Sequence, residues 1–270
     1  MSTTISASLV KELRDRTGAG MMDCKRALEE TGGDVEAART LLRERGMASA
    51  GRRAGRETTE GLVGHIVEKT VGSIVGIGCE TEPVSNNEEF QAFGAAVLRA
   101  VHAEGPGAAE SFEQERLELI AKLGENIVIV GAERFEAPTG NVVAAYAHPP
   151  ANKIGVLVEL QGGSPELARQ LAMHIAFAAP EWADREDVPS ETSEAERAIY
   201  MNSDEVQSKP EAAREKIVGG MLGKRFFAAT PGGVLADQAW VHDPTRTVAQ
   251  ALEEAGASAV RFARISVAES

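Results

Sequence analysis

The chain has 270 residues, of which 43% are hydrophobic and 26% are charged, and its net charge at pH 7 is -13. A chain of this length can bury a substantial core in two or three compact units. The acidic balance argues against nucleic acid as the main partner, because phosphate binding depends on lysine and arginine. The sequence has no run of about 20 apolar residues, which a membrane span would need. Residues 1–4 do not begin a secretion signal, so we expect a cytoplasmic protein that binds neither membrane nor nucleic acid directly.

Three short helical patterns follow one another near the start of the chain. Their apolar residues recur at helical spacing: Leu9 and Leu13; Met21, Cys24 and Leu28; Val35, Ala38 and Leu42. Paired glycines separate the patterns, and Ser6 or Ser8 and Asp34 are candidate N-caps. The sequence therefore predicts a three-helix bundle over residues 1–50. Because its core is small, we expect a partner to add to its rigidity.

A small and basic stretch follows, from Ala48 to Arg56. We interpret residues 51–58 as a basic linker, in which the arginines are solvated. Contact between these arginines and RNA is the alternative interpretation.

An internal repeat organises the rest of the chain. In the first copy, residues 61–63 lead into an apolar run at 72–77 and a helical pattern at 90–101; in the second, residues 140–142 lead into a run at 155–160 and a helical pattern at 165–178. Each copy predicts strand, hairpin, strand and helix, and the second hairpin loop is longer by about four residues. We expect an α+β protein whose two similar halves, residues 59–139 and 140–270, lie side by side.

A helix must cover one face of the sheet in each half. The apolar residues that we expect to provide this cover are Phe90, Phe93, Val97 and Val101 in the first half, and Leu167, Leu171, Ile175 and Phe177 in the second. Residues 117–123 and 127–130 complete the first half.

Residues 186–220 are charged, helical in pattern and poor in apolar side chains. Pro210 interrupts them near the start of a second helix, which predicts an antiparallel helical hairpin, or coiled coil, inserted in the second half. A partly disordered loop is the alternative. The final segment, residues 250–267, ends in an alternating pattern and is expected to return a strand to the second sheet.

The patterns of common enzyme sites are absent from the sequence. The five histidines have no metal-binding spacing: His65, His102, His148, His174 and His242. Gly76 and Gly78 are only two of the three glycines of a dinucleotide site, and Gly223-Lys224-Arg225 lacks the other residues of a phosphate loop. Cys24 and Cys79 are expected to be reduced, partly buried apolar residues. We expect no catalytic residues, no metal and no cofactor.

Two adjacent methionines, Met21 and Met22, open the second predicted helix. Neighbouring positions on a helix face different directions, so we expect one methionine in the core and the other on a partner. The flexible thioether of methionine suits an adaptable contact surface.

A polar segment, Cys79 to Phe90, lies between a predicted buried strand and a helix. From the residues alone it is an ordinary loop, in which Pro83 ends the strand and Ser85, Asn86 or Asn87 caps the helix.

These segments resemble the elongation factor Ts family along almost the whole chain. The matching stretches are Leu9 to Arg14, Thr17 to Lys25, Cys79 to Thr81, Asn87 to Phe93, Gly124 to Ile127, Val143 to His148, Met173 to Ala176, Lys209-Pro210, Glu215 to Gly220, and Arg261-Phe262. The resemblance implies that the N-terminal bundle is UBA-like. It also implies a nucleotide-exchange factor, not an enzyme, whose partner is elongation factor Tu in its GDP-bound and nucleotide-free states.

The resemblance also implies contact residues. Arg14, Met21 and Met22 correspond to the surface that grips a helix of the partner's nucleotide domain, and His148 to a histidine that meets another partner domain. Residues Thr81, Glu82, Pro83 and Val84 occupy the segment that the family inserts near the partner's Mg²⁺. Arg14 as a solvated charge and His148 as an ordinary loop residue are the alternatives.

This sequence departs from the family in that inserted segment. The family carries Thr-Asp-Phe-Val there, whereas this chain has Glu82 in place of Asp and Pro83 in place of Phe. An aromatic wedge brings more apolar surface to an interface than proline does. A family member with weak exchange is therefore one alternative; a protein-binding adaptor outside translation, or a hydrolase using Glu82 with His148 or His174, are others.

Overall fold

A computed structural model describes residues 5–53 and 55–268 of the chain. Residues 1–4, Ala54 of the expected linker, and residues 269–270 lie outside this part. The side chains of Met47, Ser49, Ala50 and Arg52 are likewise outside the description.

The N-terminal part, which we call the head, contains three helices: α1 (Ala7–Thr17), α2 (Met21–Glu30) and α3 (Val35–Arg53). Ser6 caps α1 and Asp34 caps α3, as two of the predicted caps require. Gly18 ends α1 with φ of 67°, a left-handed conformation that glycine adopts without strain. The helices enclose a small apolar core: Val10, Leu13, Cys24, Ala27, Leu28 and Ala38.

Helix α3 continues to Arg53, so the first three residues of the linker predicted at 51–58 are helical. Alanine and arginine are good helix formers, and the middle of α3 is buried at Gly46 against Ala121 of a later helix. This long-range contact extends the helix into the stretch that we predicted to be a tether.

The first half contains a three-stranded antiparallel sheet in the order β1-β2-β3. Its elements are β1 (Glu60–Glu68), β2 (Val71–Cys79), α4 (Glu82–Ser85), α5 (Glu88–Glu104), a 3₁₀ segment (Pro106–Phe112), α6 (Glu113–Leu123) and β3 (Ile127–Glu136). Helix α5 covers one face of the sheet. The four residues predicted for this cover, Phe90, Phe93, Val97 and Val101, are buried there, which confirms their prediction.

The second half repeats this arrangement with a sheet in the order β4-β5-β6. Its strands and covering helix are β4 (Asn141–Ala147), β5 (Ile154–Gln161), α7 (Pro165–Ala178) and β6 (Ser258–Ser266). Pairing of β5 with β6 confirms the predicted final strand. The connection between β4 and β5 is four residues longer than that between β1 and β2, as predicted.

The prediction that Phe177 covers the second sheet is wrong. Leu171, Ile175 and Ala178 are buried, whereas Phe177 is 70% exposed. Successive residues of a helix turn by about 100°, so a residue two positions after Ile175 faces away from the sheet.

Between α7 and β6 the chain is mostly helical. It forms α8 (Ser190–Met201), α9 (Asp204–Gln207), α10 (Glu211–Met221), a π-helical turn (Leu222–Phe227) and α11 (Val248–Glu254). Four buried residues give the segment around α10 a small core of its own: Val206, Val218, Met221 and Leu222. Within the described chain, residues 190–201 and 211–221 are therefore helices and not a partly disordered loop.

The two sheets pack face to face, and not side by side as the repeat led us to expect. Glycines on the facing sides allow this close approach: a Cβ on Gly155 would lie 2.4 Å from Cγ1 of Val63, and one on Gly72 would lie 2.5 Å from Cγ1 of Val143. Helices α5 and α7 cover the outer faces. The result is a four-layer core of helix, sheet, sheet and helix.

Candidate protein-binding site

Both adjacent methionines at the start of α2 are exposed, Met21 by 54% and Met22 by 62%. The prediction that one of them belongs to the core is wrong. Cys24 is the first residue of α2 that belongs to the core of the head. The turn before α2 covers it, because the Cys24 thiol donates to the Ala19 carbonyl at 3.6 Å and lies 3.9 Å from Oγ1 of Thr17. Both thioethers are therefore available to a partner.

Arg14 is exposed in the last turn of α1. Met21 and Met22 open α2 after the short connection of residues 18–20, so the three predicted residues of the head flank one turn. We call Arg14, Met21 and Met22 the head surface.

Residues Thr81, Glu82 and Pro83 form an exposed turn after the last residue of β2. The backbone N–H of Thr81 donates to Oε2 of Glu125 at 3.0 Å, and its hydroxyl donates to the other carboxylate oxygen. Asn87 accepts the N–H groups of Glu89 and Phe90 at the following helix start. Both ends of the turn are therefore fixed to the first half.

This segment is a helical turn, α4, and not the polar loop that the sequence predicts. Pro83 lies within its first turn, where the missing N–H of proline has no helical acceptor to lose. Pro83 therefore does not end the strand, which stops at Cys79.

Val84 was predicted as part of the inserted segment, but it is buried in the apolar core of the first half. Its side chain anchors α4 beneath the exposed residues. The structure therefore divides the predicted segment into three exposed residues, Thr81, Glu82 and Pro83, and one anchor. We call the three exposed residues the exposed turn.

The residues that hold this turn are distant in sequence and were not singled out by their chemistry. Glu125 follows α6, and the backbone N–H of Asn126 donates to Oε1 of Glu80 at 2.6 Å. The Asn126 amide also donates to the Arg56 carbonyl at 2.8 Å. Their only sequence signal was the match of Gly124 to Ile127 with the family.

His148 is exposed in the connection between β4 and β5. Its Nδ1 lies 2.9 Å from the Tyr146 hydroxyl. The same connection contacts the first half, because Asn152 accepts the Val63 N–H at 2.7 Å and Lys153 Nζ lies 2.5 Å from Oε1 of Glu60. The connection that carries His148 is thus attached to β1 of the first half.

Two buried titratable side chains of the described residues, Cys79 and His174, have shifted pKa values. Burial raises the pKa of the Cys79 thiol to about 12, with the charge of Glu125 acting in the same direction. His174 accepts the Val241 N–H at Nδ1, so its Nε2–H donates to Oε1 of Gln238 at 3.0 Å. Burial lowers the pKa of this imidazole, which favours its neutral form.

Among the described residues, no group of three or more histidine, cysteine, aspartate or glutamate side chains could hold a metal ion. In the same part of the chain, every helix is too short or too polar to cross a membrane. What the described surfaces offer is a set of exposed apolar, basic and acidic side chains on fixed backbone.

The comparisons with known proteins agree on one family. The sequence model described as "Elongation factor TS" matches residues 80–269. Elongation factor Ts of Thioalkalivibrio sulfidiphilus is 42% identical over 278 residues, which cover 98% of this chain and 93% of that protein. Elongation factor Ts of Alkalilimnicola ehrlichii is 41% identical, with 98% and 92% covered, and that of Klebsiella pneumoniae is 40% identical with the same coverage.

Proposed function

This chain belongs to the elongation factor Ts family and is a translation elongation factor, and from that premise we propose that it promotes release of GDP from elongation factor Tu. It does so as a binding protein that makes and breaks no covalent bond. We also propose that it binds both the GDP-bound and the nucleotide-free partner, and that it acts in the cytoplasm, where translation takes place.

The observation that carries this proposal is the exposed turn. It presents the Glu82 carboxylate at the surface on a backbone held by Glu125 at one end and by the α5 cap at the other. A carboxylate brought near a bound Mg²⁺ competes with the ligands of that ion and alters the local charge. Because the turn is already ordered, little conformational entropy is lost when it is inserted.

The mechanism follows from linkage. A protein that disturbs the Mg²⁺ and phosphate site must bind the nucleotide-free partner more tightly than the GDP-bound one, by the same factor by which it weakens GDP. Each tenfold loss of GDP affinity requires about 1.4 kcal/mol of coupling. Several such units require an interface with more than one contact region.

Three separate regions support such an interface in this chain. We propose that the head forms a UBA-like domain whose exposed Arg14, Met21 and Met22 contact the nucleotide domain of the partner. The exposed turn approaches its Mg²⁺, and His148 contacts another of its domains. We further propose that the helices between residues 186 and 220 form a coiled-coil insertion in the second half.

A second candidate function is binding of elongation factor Tu with weak exchange. The observation that favours it is Pro83, which is exposed at the tip of the turn but offers less apolar surface than the phenylalanine of the family. On this alternative the protein forms the complex, but the turn displaces Mg²⁺ poorly.

Stopped-flow release of a fluorescent GDP from elongation factor Tu distinguishes these functions. We expect release to accelerate with the concentration of this protein and then to saturate. Complex formation by gel filtration without accelerated release would support the second candidate. A protein that neither binds elongation factor Tu nor accelerates release would contradict both and favour an adaptor outside translation.

A further inference from the structure

The head rests on the first half through a contact between α3 and α6. Gly46 is buried on α3, and a Cβ built at this residue would lie 2.6 Å from Cβ of Ala121. Any side chain at position 46 must therefore move α3 away from α6. Arg43, one turn earlier, donates to Oε1 of Gln114 at 2.7 Å and thus contacts the same helix.

Lys122, beside Ala121 on α6, contacts one residue near each of the two proposed binding surfaces: Gly18 near the head surface and Glu89 near the exposed turn. Its alkyl chain lies against Gly18, where a Cβ would be only 2.2 Å from Cε of Lys122. Its Nζ lies 2.5 Å from Oε2 of Glu89. Gly18 ends α1 just before the start of α2, and Glu89 lies in the first turn of α5, the helix that follows α4.

The same end of α6 also leads to Glu125, which holds Thr81. One short segment, residues 121–125, therefore contacts Gly18, which lies between α1 and the methionines of the head surface, and Thr81, the first residue of the exposed turn. Movement of α3 relative to α6 would change the distance between the two surfaces without changing either one.

We propose that Gly46 and Lys122 are positioning residues that fix the spacing between the head surface and the exposed turn. This inference rests on the proposed function. When two contact regions are held at the spacing that one partner molecule requires, the second contact forms within the complex and the overall affinity increases. A displaced head leaves both surfaces intact but removes this advantage.

A pair of glycine substitutions in α3 tests the proposal. Gly46→Leu and Gly51→Leu both replace glycine by a good helix former, but a Cβ at Gly51 meets no atom within 4 Å. In the GDP-release assay we expect Gly46→Leu to raise the concentration needed for half-maximal acceleration by about 3- to 10-fold, and Gly51→Leu to leave it unchanged. The same half-maximal concentration for Gly46→Leu and Gly51→Leu would overturn the proposal.

A double-mutant cycle shows whether Gly46 acts through the head surface. We expect Gly46→Leu to add no further loss in a protein that already carries Met21→Ala and Met22→Ala, because the misplaced contact is then absent. Losses that multiply would show that position 46 acts by another route, and would overturn its positioning role.

Substitutions of Lys122 provide an independent test should Gly46→Leu fail to fold. Lys122→Ala removes the alkyl chain that lies against Gly18 and is expected to raise the concentration needed for half-maximal acceleration, whereas Lys122→Arg keeps an alkyl stem and a positive charge and should lose little. Wild-type behaviour of Lys122→Ala, or a loss in Lys122→Arg as large as that in Lys122→Ala, would contradict the proposal. If the wild-type protein itself fails to accelerate release, the proposed function fails; if only these variants behave as wild type, the positioning role alone fails.

Discussion

Thr81 and Glu125 are joined by a hydrogen bond from the Thr81 N–H to Oε2 of Glu125 at 3.0 Å, across 44 positions of the chain. The Thr81 hydroxyl donates to the second oxygen of the same carboxylate. The first residue of the exposed turn is thereby tied to the end of α6. A surface loop would otherwise adopt many conformations, most of which could not enter a partner.

We predict that Glu125→Ala slows the maximal rate of GDP release by about 3- to 10-fold, because loss of the charged acceptor frees the turn. Glu125→Gln keeps one acceptor oxygen and should lose less. Glu110→Ala removes another exposed carboxylate of the first half and serves as the control. A maximal rate for Glu125→Ala equal to that of the control would show that order in the turn is unimportant.

The paired substitution Met21→Ala and Met22→Ala should weaken binding to elongation factor Tu without unfolding the head. Both side chains are exposed, so their removal leaves no cavity in the core. Interface anchors typically cost about 1–4 kcal/mol when truncated. Isothermal titration measures the affinity, and Val67→Ala, another exposed apolar residue, is the matched control. Loss of helical signal in the double variant would contradict the exposed placement of both methionines.

The sequence predicts elements best where periodicity and burial agree. Phe90, Phe93, Val97 and Val101 recur at helical spacing, and all four lie on the sheet. Phe177 shows the limit of reading hydrophobicity alone, since its spacing from Ile175 already placed it on the opposite side of α7. Local pattern also identified the repeat and the final strand.

Long-range contacts account for the errors. The end of α3 depends on α6, and the form of the exposed turn depends on Glu125; neither contact leaves a signal in the neighbouring residues. The prediction of a core methionine failed because the turn at Ala19, and not Met21, covers Cys24. The candidate site could be located from its resemblance to a family, but its division into exposed residues and the buried anchor Val84 required the structure.

Stability should fall as the pH decreases below about 6.5. Burial lowers the pKa of His174 from the ordinary value of 6.5, so just below that pH the unfolded chain takes up a proton that the native protein does not. This stabilising contribution is complete above pH 6.5 and is lost as the pH falls toward the native pKa of His174. Urea unfolding at pH 7.5, 6.5 and 5.5 measures it.

His174→Gln should reduce this pH dependence, because the buried imidazole is then absent. Trp240→Phe is the control: it disturbs the ring stacked on His174 at 5.3 Å but keeps the imidazole, so the dependence should remain. An unchanged slope in His174→Gln would show that this histidine does not couple stability to pH.

Pro83→Phe tests whether the protein lacks an aromatic wedge that exchange requires. Position 83 is exposed, so phenylalanine can be accommodated without disturbing the core. Because we attribute exchange to the shape of the turn and to the Glu82 carboxylate, we expect GDP release to change by less than about threefold, which corresponds to under 1 kcal/mol. Pro83→Ala is the control for loss of the ring. A tenfold or greater acceleration in Pro83→Phe alone would favour the second candidate, a partner-binding protein with weak exchange.

The most direct test of the account is the rate of fluorescent GDP release from elongation factor Tu at a saturating concentration of Glu82→Ala. We expect this rate to be about 3- to 30-fold below that of the wild-type protein, a change of about 1–2 kcal/mol in the barrier. Glu82→Gln, which keeps the shape of the side chain and removes its charge, should be similarly slow. Both variants should still bind elongation factor Tu, because the head surface is unchanged. Release at the wild-type rate by Glu82→Ala would contradict the claim that the exposed turn drives exchange.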